Sequence, residues 1–207
     1  MVDRVTCGLS MNSVDALDLN QLDLNQLIAL SRVCGLGDQA DLPNQTRNLI
    51  QQADQAKRPL TAEELRMICR ASGIGIGLPL ELQRKADSLV AQARAELNRQ
   101  FPDLCQPGGA LHPQDRAEAC WRDCWNFLRV VLYAIAAGQS QFTDFEGMVA
   151  LRELYIRMDV PIKAMRIALQ TLQELCIATT PSSSEQALVR ACFEHLMHNL
   201  NNSAVKS

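Results

Sequence analysis

The segment from residue 120 to residue 125 concentrates reactive and aromatic side chains. It reads Cys-Trp-Arg-Asp-Cys-Trp and holds both tryptophans of a chain that is only 4% aromatic. On a helix, Cys120 and Asp123 would be neighbours on one face, and Cys124 would continue the stripe that begins at Cys120. A cation beside a cysteine, here Arg122, lowers the pKa of the thiol and favours its reactive thiolate. The residues allow two interpretations of Cys120, a small buried core thiol or a site of covalent chemistry.

Catalytic and metal-binding interpretations lack the partner residues that they need. A nucleophilic cysteine requires a nearby base, and none of the histidines can be placed beside Cys120 from the sequence. The histidines are residues 112, 195 and 198, and the cysteines are residues 7, 34, 69, 105, 120, 124, 176 and 192. They form no CxxC pair and no metal-ligand spacing. The glycine-rich stretch 72–79 matches neither phosphate-binding motif, so it predicts a helix junction. We therefore expect neither an enzyme nor a metal site.

Composition places the chain among ordinary globular proteins. Its 207 residues suit one domain with an appendage, and 47% are hydrophobic and 21% charged. The net charge of -3 and the pI near 5.6 give no basic surface, so a nucleic acid partner is not expected. No apolar run reaches the roughly 18 to 20 residues of a membrane span, and the first residues lack a signal-peptide pattern. These features predict a cytoplasmic protein without a transmembrane segment.

Hydrophobic periodicity predicts an all-α fold, because apolar residues recur at helical spacing and no stretch alternates with period two. The expected helices span residues 11–34, 46–57, 61–71, 80–100, 113–137, 142–158, 161–178 and 183–201. Thr61 and Glu64 form a capping-box signal, Gly138 is a C-cap signal, and Pro161 suits a first helical turn. The two longest helices, 80–100 and 113–137, are expected to form the centre.

The first 45 residues differ in pattern from the rest of the chain. Residues 18–22 and 23–27 both read Asp-Leu-Asn-Gln-Leu, within the predicted helix 11–34. Two glycines and a proline in residues 35–44 indicate a linker. The predicted organisation is an N-terminal helical extension and linker over residues 1–45, followed by a helical domain over residues 46–207. The extension could pack on that domain or dock a partner, and the sequence favours neither.

Six blocks of the sequence resemble the phycobiliprotein family in order and at matching spacing. The central ones are similar to the family's Cys-x-Arg-Asp, Leu-Arg, Tyr-Ala and Ala-Gly patterns. They lie at residues 120–123, 128–129, 133–134, 137–138, 151–155 and 160–162. The resemblance covers about residues 47–203. It implies a globin-like fold with an N-terminal helical hairpin, and a bile-pigment chromophore of the phycocyanobilin type, which is a linear tetrapyrrole.

The resemblance also implies roles for individual residues. Cys120 would form a thioether with the bilin, Arg122 would bind a propionate, and Arg116 matches a second basic position before the cysteine. Asp123 matches the aspartate that accepts hydrogen bonds from two pyrrole N–H groups, which keeps the pigment protonated and extended. Arg129 matches an arginine that helps to pair subunits.

The implied setting is the phycobilisome of cyanobacteria, on the cytoplasmic face of the thylakoid membrane. The partners would be other phycobiliprotein subunits, in heterodimers or rings, together with linker proteins, and the function would be light harvesting and excitation-energy transfer in photosynthesis. Several family positions differ here: residues 110, 126, 127, 139 and 150 are Ala, Asn, Phe, Gln and Ala. The alternative is therefore an unpigmented or sensor-type relative that binds antenna subunits in assembly or regulation.

Overall fold

The computed structural model describes residues 19–201, which form eight α-helices and no β-sheet. The helices are α1 Leu24–Leu30, α2 Asn44–Gln55, α3 Ala62–Ser72, α4 Gly77–Gln100, α5 Gln114–Ala137, α6 Phe145–Arg157, α7 Ile162–Ala178 and α8 Ser183–Asn201. An isolated antiparallel bridge joins Cys34 to Thr143. The prediction of an all-α fold is confirmed, and α2 to α8 begin and end within a few residues of the predicted limits.

Helix α5 is the centre of the fold. Every residue from 127 to 137 is buried, and α5 contacts α3, α4, α7 and α8. A helix enclosed on all sides must be apolar around most of its circumference, as this segment is apart from Arg129 and the Tyr133 hydroxyl. Its N-terminal half carries residues 120–123 at the edge of this core. The central position predicted for α5 is therefore confirmed, and α4 packs against both α5 and α7.

Local signals in the sequence fix several helix ends. Thr61 and Glu64 form the predicted capping box, in which each side chain binds the other residue's backbone N–H. Gly138 ends α5 in the left-handed region, with φ of 66°, where a side chain would add strain. Asp144 caps α6 by accepting a 2.6 Å hydrogen bond from the Gly147 backbone N–H. Because these caps satisfy otherwise unpaired backbone groups, the helices stop at defined residues.

The predicted helix over residues 11–34 is wrong in its described part, and residues 11–18 lie outside the described residues. A 3-10 turn at Leu19–Gln21 precedes α1, which spans only Leu24–Leu30. The repeated motif carries its own start signal, because Asp23 and Gln26 form a capping box with two 2.8 Å hydrogen bonds. Apolar residues continue at helical spacing across Asp23, so the periodicity alone did not reveal that a new helix begins there.

The described part of the extension packs on α6. Leu27 is fully buried against Ala150 and Leu154. A Cβ atom on Gly147 would lie only 1.9 Å from the backbone oxygen of Arg32, so the close approach of the two segments requires glycine. The Arg32 guanidinium also lies 2.7 Å from the Asp144 carboxylate. Of the two alternatives for the extension, residues 19–34 show intramolecular packing. The domain boundary at residue 45 stays a prediction.

Helices α2 and α3 form the predicted N-terminal hairpin and contact α5. Arg129 of α5 lies 2.8 Å from Asp54 of α2 and donates a 2.7 Å hydrogen bond to the Tyr133 hydroxyl. The Tyr133 hydroxyl in turn donates to the backbone oxygen of Arg58. Arg129, which the resemblance assigns to subunit pairing, is thus 7% exposed and engaged within its own chain.

Candidate functional site

Two cysteines lie one turn apart on the buried side of α5. Cys120 is 6% exposed and Cys124 is fully buried, with its Sγ 3.4 Å from the Sδ of Met165. A hydrogen bond from Cys124 lowers the pKa of Cys120 and outweighs the opposing effects of burial and of the Asp123 charge, while Arg116 also lowers it. Cys120 is therefore a core residue by packing and yet the cysteine whose thiolate is favoured.

Asp123 is a partly buried carboxylate with one hydrogen-bond donor. Its Oδ2 accepts a 2.8 Å hydrogen bond from the hydroxyl of Tyr155 on α6. Within residues 19–201 it has no other hydrogen bond or ion pair, so Oδ1 can accept further donors. Burial raises the pKa of Asp123, against the lowering effects of Tyr155, Arg122 and Lys57. A ligand that donates hydrogen bonds at this point would relieve the cost of burying the charge.

Tyr155 is the site residue that the sequence did not single out. It is 4% exposed, and burial, together with the charges of Asp123 and Cys120, raises its pKa well above the ordinary value. Its hydroxyl donates a hydrogen bond to Asp123, whereas Cys120 acts on Tyr155 only through its charge. The only signal in the sequence was its place at the end of the matched block 151–155.

The two predicted arginines have different surroundings. Arg122 is exposed and makes no hydrogen bond or ion pair in the described part of the chain, so its guanidinium can bind an anion. Arg116 donates a 2.9 Å hydrogen bond to the backbone oxygen of Ala110 and another to that of Asp159. Arg116 therefore links the loop before α5 to the turn between α6 and α7. Arg122 follows Cys120 on α5 and acts on Asp123 through its charge, while Arg116 holds the neighbouring loops.

A cavity of about 360 Å³ opens beside Asp123 and Tyr155. Its walls come from α5, from α6, from the end of α2 and from the extension. The polar lining includes Asp123, Asn126, Tyr155 and Lys57, and Phe127 is among the apolar residues. The volume falls within the roughly 300–1,000 Å³ range of small-molecule sites. Cys120 does not line the cavity, but it lies about one helical turn from Asp123, which does.

The tryptophans lie on the other side of α5, toward α4. Trp121 is 5% exposed with the Arg94 guanidinium 5.8 Å from its ring centre, and Trp125 donates a 2.9 Å hydrogen bond to Asp87. Neither lines the cavity beside Asp123. Both therefore pack between α4 and α5, away from that cavity.

Fold and site together define a class, a globin-like helical protein whose central helix carries a cysteine, an arginine and an aspartate within about one turn, with the aspartate lining a ligand-sized cavity. The family profile described as phycobilisome protein matches residues 48–200, well over half of the chain. The chain belongs to the phycobilisome protein family. No helix within residues 19–201 is long and apolar enough to span a membrane. The same part of the chain contains no cluster of side chains suited to a metal ion.

Individual relatives agree with this assignment. Allophycocyanin alpha chain 2 of Microchaete diplosiphon is 30% identical over 156 residues, which are 73% of this chain and 96% of the relative. C-phycocyanin beta chain of Aglaothamnion neglectum is 36% identical over 98 residues, which are 47% of this chain and 57% of the relative. A solved far-red fluorescent biliprotein, derived from an allophycocyanin F subunit of Chroococcidiopsis thermalis, aligns with a TM-score of 0.54 and 22% identity. That alignment covers 69% of this chain and all of the other, and it confirms the fold.

Replacing Cys124 by alanine is expected to slow alkylation of Cys120. The variant removes the hydrogen bond that lowers the pKa of Cys120, while burial and the Asp123 charge still raise it. Alkylation needs the thiolate, so the rise of the rate with pH should shift to higher pH. Peptide mass spectrometry of iodoacetamide-treated apoprotein between pH 6 and pH 10 measures this shift. Cys124→Ser retains a donor and should leave the profile near that of the wild type. A profile unchanged in Cys124→Ala would contradict the assignment.

Proposed function

We propose that this protein binds a linear tetrapyrrole of the phycocyanobilin type, covalently at Cys120, and serves in light harvesting and excitation-energy transfer in or attached to the phycobilisome. The observation that carries the proposal is the Asp123 carboxylate, half-buried at a 360 Å³ cavity, whose Oδ1 has no hydrogen-bond partner within residues 19–201, with a cysteine of lowered pKa, Cys120, one turn away. Pyrrole N–H groups are donors of the kind that such an oxygen accepts. When bound, the pigment would supply visible absorption.

Each predicted site residue has a chemical role in this proposal. Cys120 would supply the sulfur of a new carbon–sulfur bond by addition to a carbon–carbon double bond, its proton passing to the pigment, so no oxidant is needed. Asp123 would hold the protonated pyrroles, and Tyr155 would orient Asp123. The exposed Arg122 guanidinium would bind a propionate. Arg116 would fix the loop before α5.

The proposed partners and location follow from the family. The chain would pair with other phycobiliprotein subunits and contact linker proteins, at the cytoplasmic face of the thylakoid membrane, and it would not act as an enzyme. The relatives that support this setting are named as allophycocyanin and phycocyanin chains. One observation favours an unpigmented or sensor-type regulator instead: Cys120 is 6% exposed and does not line the cavity.

Co-expression with a phycocyanobilin pathway and bilin lyases tests the proposal. We expect a visible absorbance band and zinc-induced fluorescence that survives denaturation, which indicates a covalent bilin. Cys105→Ala, a change at an exposed cysteine outside the site, should give the same signals. A colourless wild-type protein would contradict pigment binding and support the unpigmented alternative.

Asp123→Asn is expected to change the spectrum without abolishing covalent attachment. The amide has the size of the carboxylate but carries no negative charge, so the protonated pyrroles lose their counter-ion. The absorbance band should weaken or shift, and the fluorescence yield should fall, while zinc fluorescence on denaturing gels persists. Asp87→Asn, which changes an aspartate that binds Trp125 outside the cavity, is the matched control. A wild-type spectrum in Asp123→Asn would remove this residue from the proposed site.

A further inference from the structure

The extension forms one wall of the cavity that contains Asp123 and Tyr155. Ile28, Ala29, Ser31, Arg32 and Val33 all line this cavity. They precede residue 48, where the match to the phycobilisome protein family begins. The site in this chain therefore includes side chains outside the region that it shares with the family profile.

Contacts with α6 hold this wall in place. Leu27 is buried against Leu154, the neighbour of Tyr155 in sequence. The Arg157 guanidinium donates hydrogen bonds of 2.5 and 2.6 Å to the backbone oxygens of Leu22 and Leu19. At the other end of α1, Arg32 binds Asp144 at 2.7 Å. Because both ends are attached to the helix that carries Tyr155, the wall has a fixed position relative to the site.

Both cavity walls carry polar and apolar side chains. The α5 wall supplies the Asp123 carboxylate beside apolar Phe127 and Val130, and the extension supplies Ile28, Ala29 and Val33 beside polar Ser31 and Arg32. Ile28 is 56% exposed, so it borders the cavity without being needed in the core. A flat, conjugated ligand with N–H donors along one edge and apolar faces would satisfy both walls.

We propose that the extension is part of the ligand site: Ile28 and Val33 contact an apolar face of an extended tetrapyrrole whose nitrogens face Asp123, and this contact restricts twisting of the ligand. The identity of the ligand rests on the proposed function, whereas the presence of the extension in the cavity wall does not depend on it. Ile28 and Val33 would be positioning residues that act on the conformation of the bound pigment. A ligand that cannot twist loses less excitation energy to internal motion.

A pair of matched substitutions on α1 tests the contact. Ile28→Asp and Leu24→Asp introduce the same charge on the same helix at similarly exposed residues, 56% and 46%, but only Ile28 lines the cavity. In co-expressed, pigmented protein, Ile28→Asp should lower the fluorescence yield several-fold and shift the absorbance band, with covalent attachment unchanged. Leu24→Asp should retain wild-type spectra. Equal spectra for the two variants, or equal losses of fluorescence yield, would contradict the proposed contact between Ile28 and the pigment.

The pigment-free protein tests the wall separately. A thiol introduced by Asn126→Cys, inside the cavity, should react slowly with a bulky maleimide, and the added change Leu27→Asp should accelerate the reaction about tenfold by detaching α1. Leu24→Asp is again the control, and circular dichroism verifies the helical content. An unchanged rate of maleimide reaction after Leu27→Asp would contradict the conclusion that α1 forms a wall of the cavity. A wild-type protein that takes no pigment but shows this acceleration would contradict the proposed function and the pigment contact while supporting the wall.

Discussion

Replacement of Cys120 by alanine is expected to abolish covalent pigment attachment while the protein stays folded. The proposed thioether requires the sulfur atom of Cys120, and none of the side chains that line the cavity within residues 19–201 is a cysteine. Cys120→Ala removes a single buried atom from α5, a loss on the order of 1 kcal/mol, and alanine is the best helix former. Denaturing gels with zinc fluorescence and mass spectrometry of the pigmented peptide should show complete loss, and thermal unfolding should shift by only a few degrees.

Two further cysteine variants make this result specific. Cys124→Ala, one turn away, should slow attachment through its effect on the Cys120 pKa without eliminating it. Cys105→Ala should have no effect, because Cys105 lies in the exposed loop before α5. Full pigment retention in Cys120→Ala would assign the linkage to another cysteine, and the peptide mass would identify it. Loss of helical circular dichroism in Cys120→Ala would instead show that the thiol is essential to the core.

The sequence predicted most of the fold because the main helices carry several consistent signals. The helix around Tyr133 combines an apolar pattern with Gly138 at its end, and the third helix combines periodicity with the Thr61 capping box. In residues 19–34 the signals conflict. Apolar spacing predicts one long helix, whereas Asp23 satisfies the backbone groups of a new helix start, and that local hydrogen bonding determines the structure.

The candidate site could be predicted from the sequence only where its residues are close along the chain. Cys120 and Asp123 share a helix face by their spacing of three. The hydrogen bond between Asp123 and Tyr155 spans 32 positions, and the attachment of Arg32 to Asp144 spans 112. Such contacts depend on how α1, α5 and α6 pack, which periodicity does not specify. Arg129 illustrates the same limit, because its burial depends on where α2 lies.

The ion pair between Arg129 and Asp54 is expected to be a large contributor to the stability of the hairpin against α5. The Arg129 side chain is 6% exposed and its Nη1 lies 2.8 Å from Asp54 Oδ1. Asp54→Ala would leave a buried guanidinium without a counter-ion, which typically costs about 3–5 kcal/mol. Urea denaturation followed by circular dichroism should therefore show a free energy of unfolding lowered by roughly 3 kcal/mol. Glu96→Ala, which breaks an exposed pair with Arg99, should leave the free energy of unfolding nearly unchanged.

A double-mutant cycle separates the charge pair from the packing around it. Asp54→Ala with Arg129→Met removes both charges and keeps much of the arginine's apolar volume, so the double variant should be more stable than Asp54→Ala alone. Recovery is expected because the dominant cost of the single variant is the unpaired guanidinium, whose Nε already lacks a hydrogen bond in the described structure. Additive losses, or a cost below about 1 kcal/mol for Asp54→Ala, would contradict a buried pair. In that case the Asp54–Arg129 pair does not hold α2 against α5 in solution, and Arg129 is accessible to solvent or to another subunit.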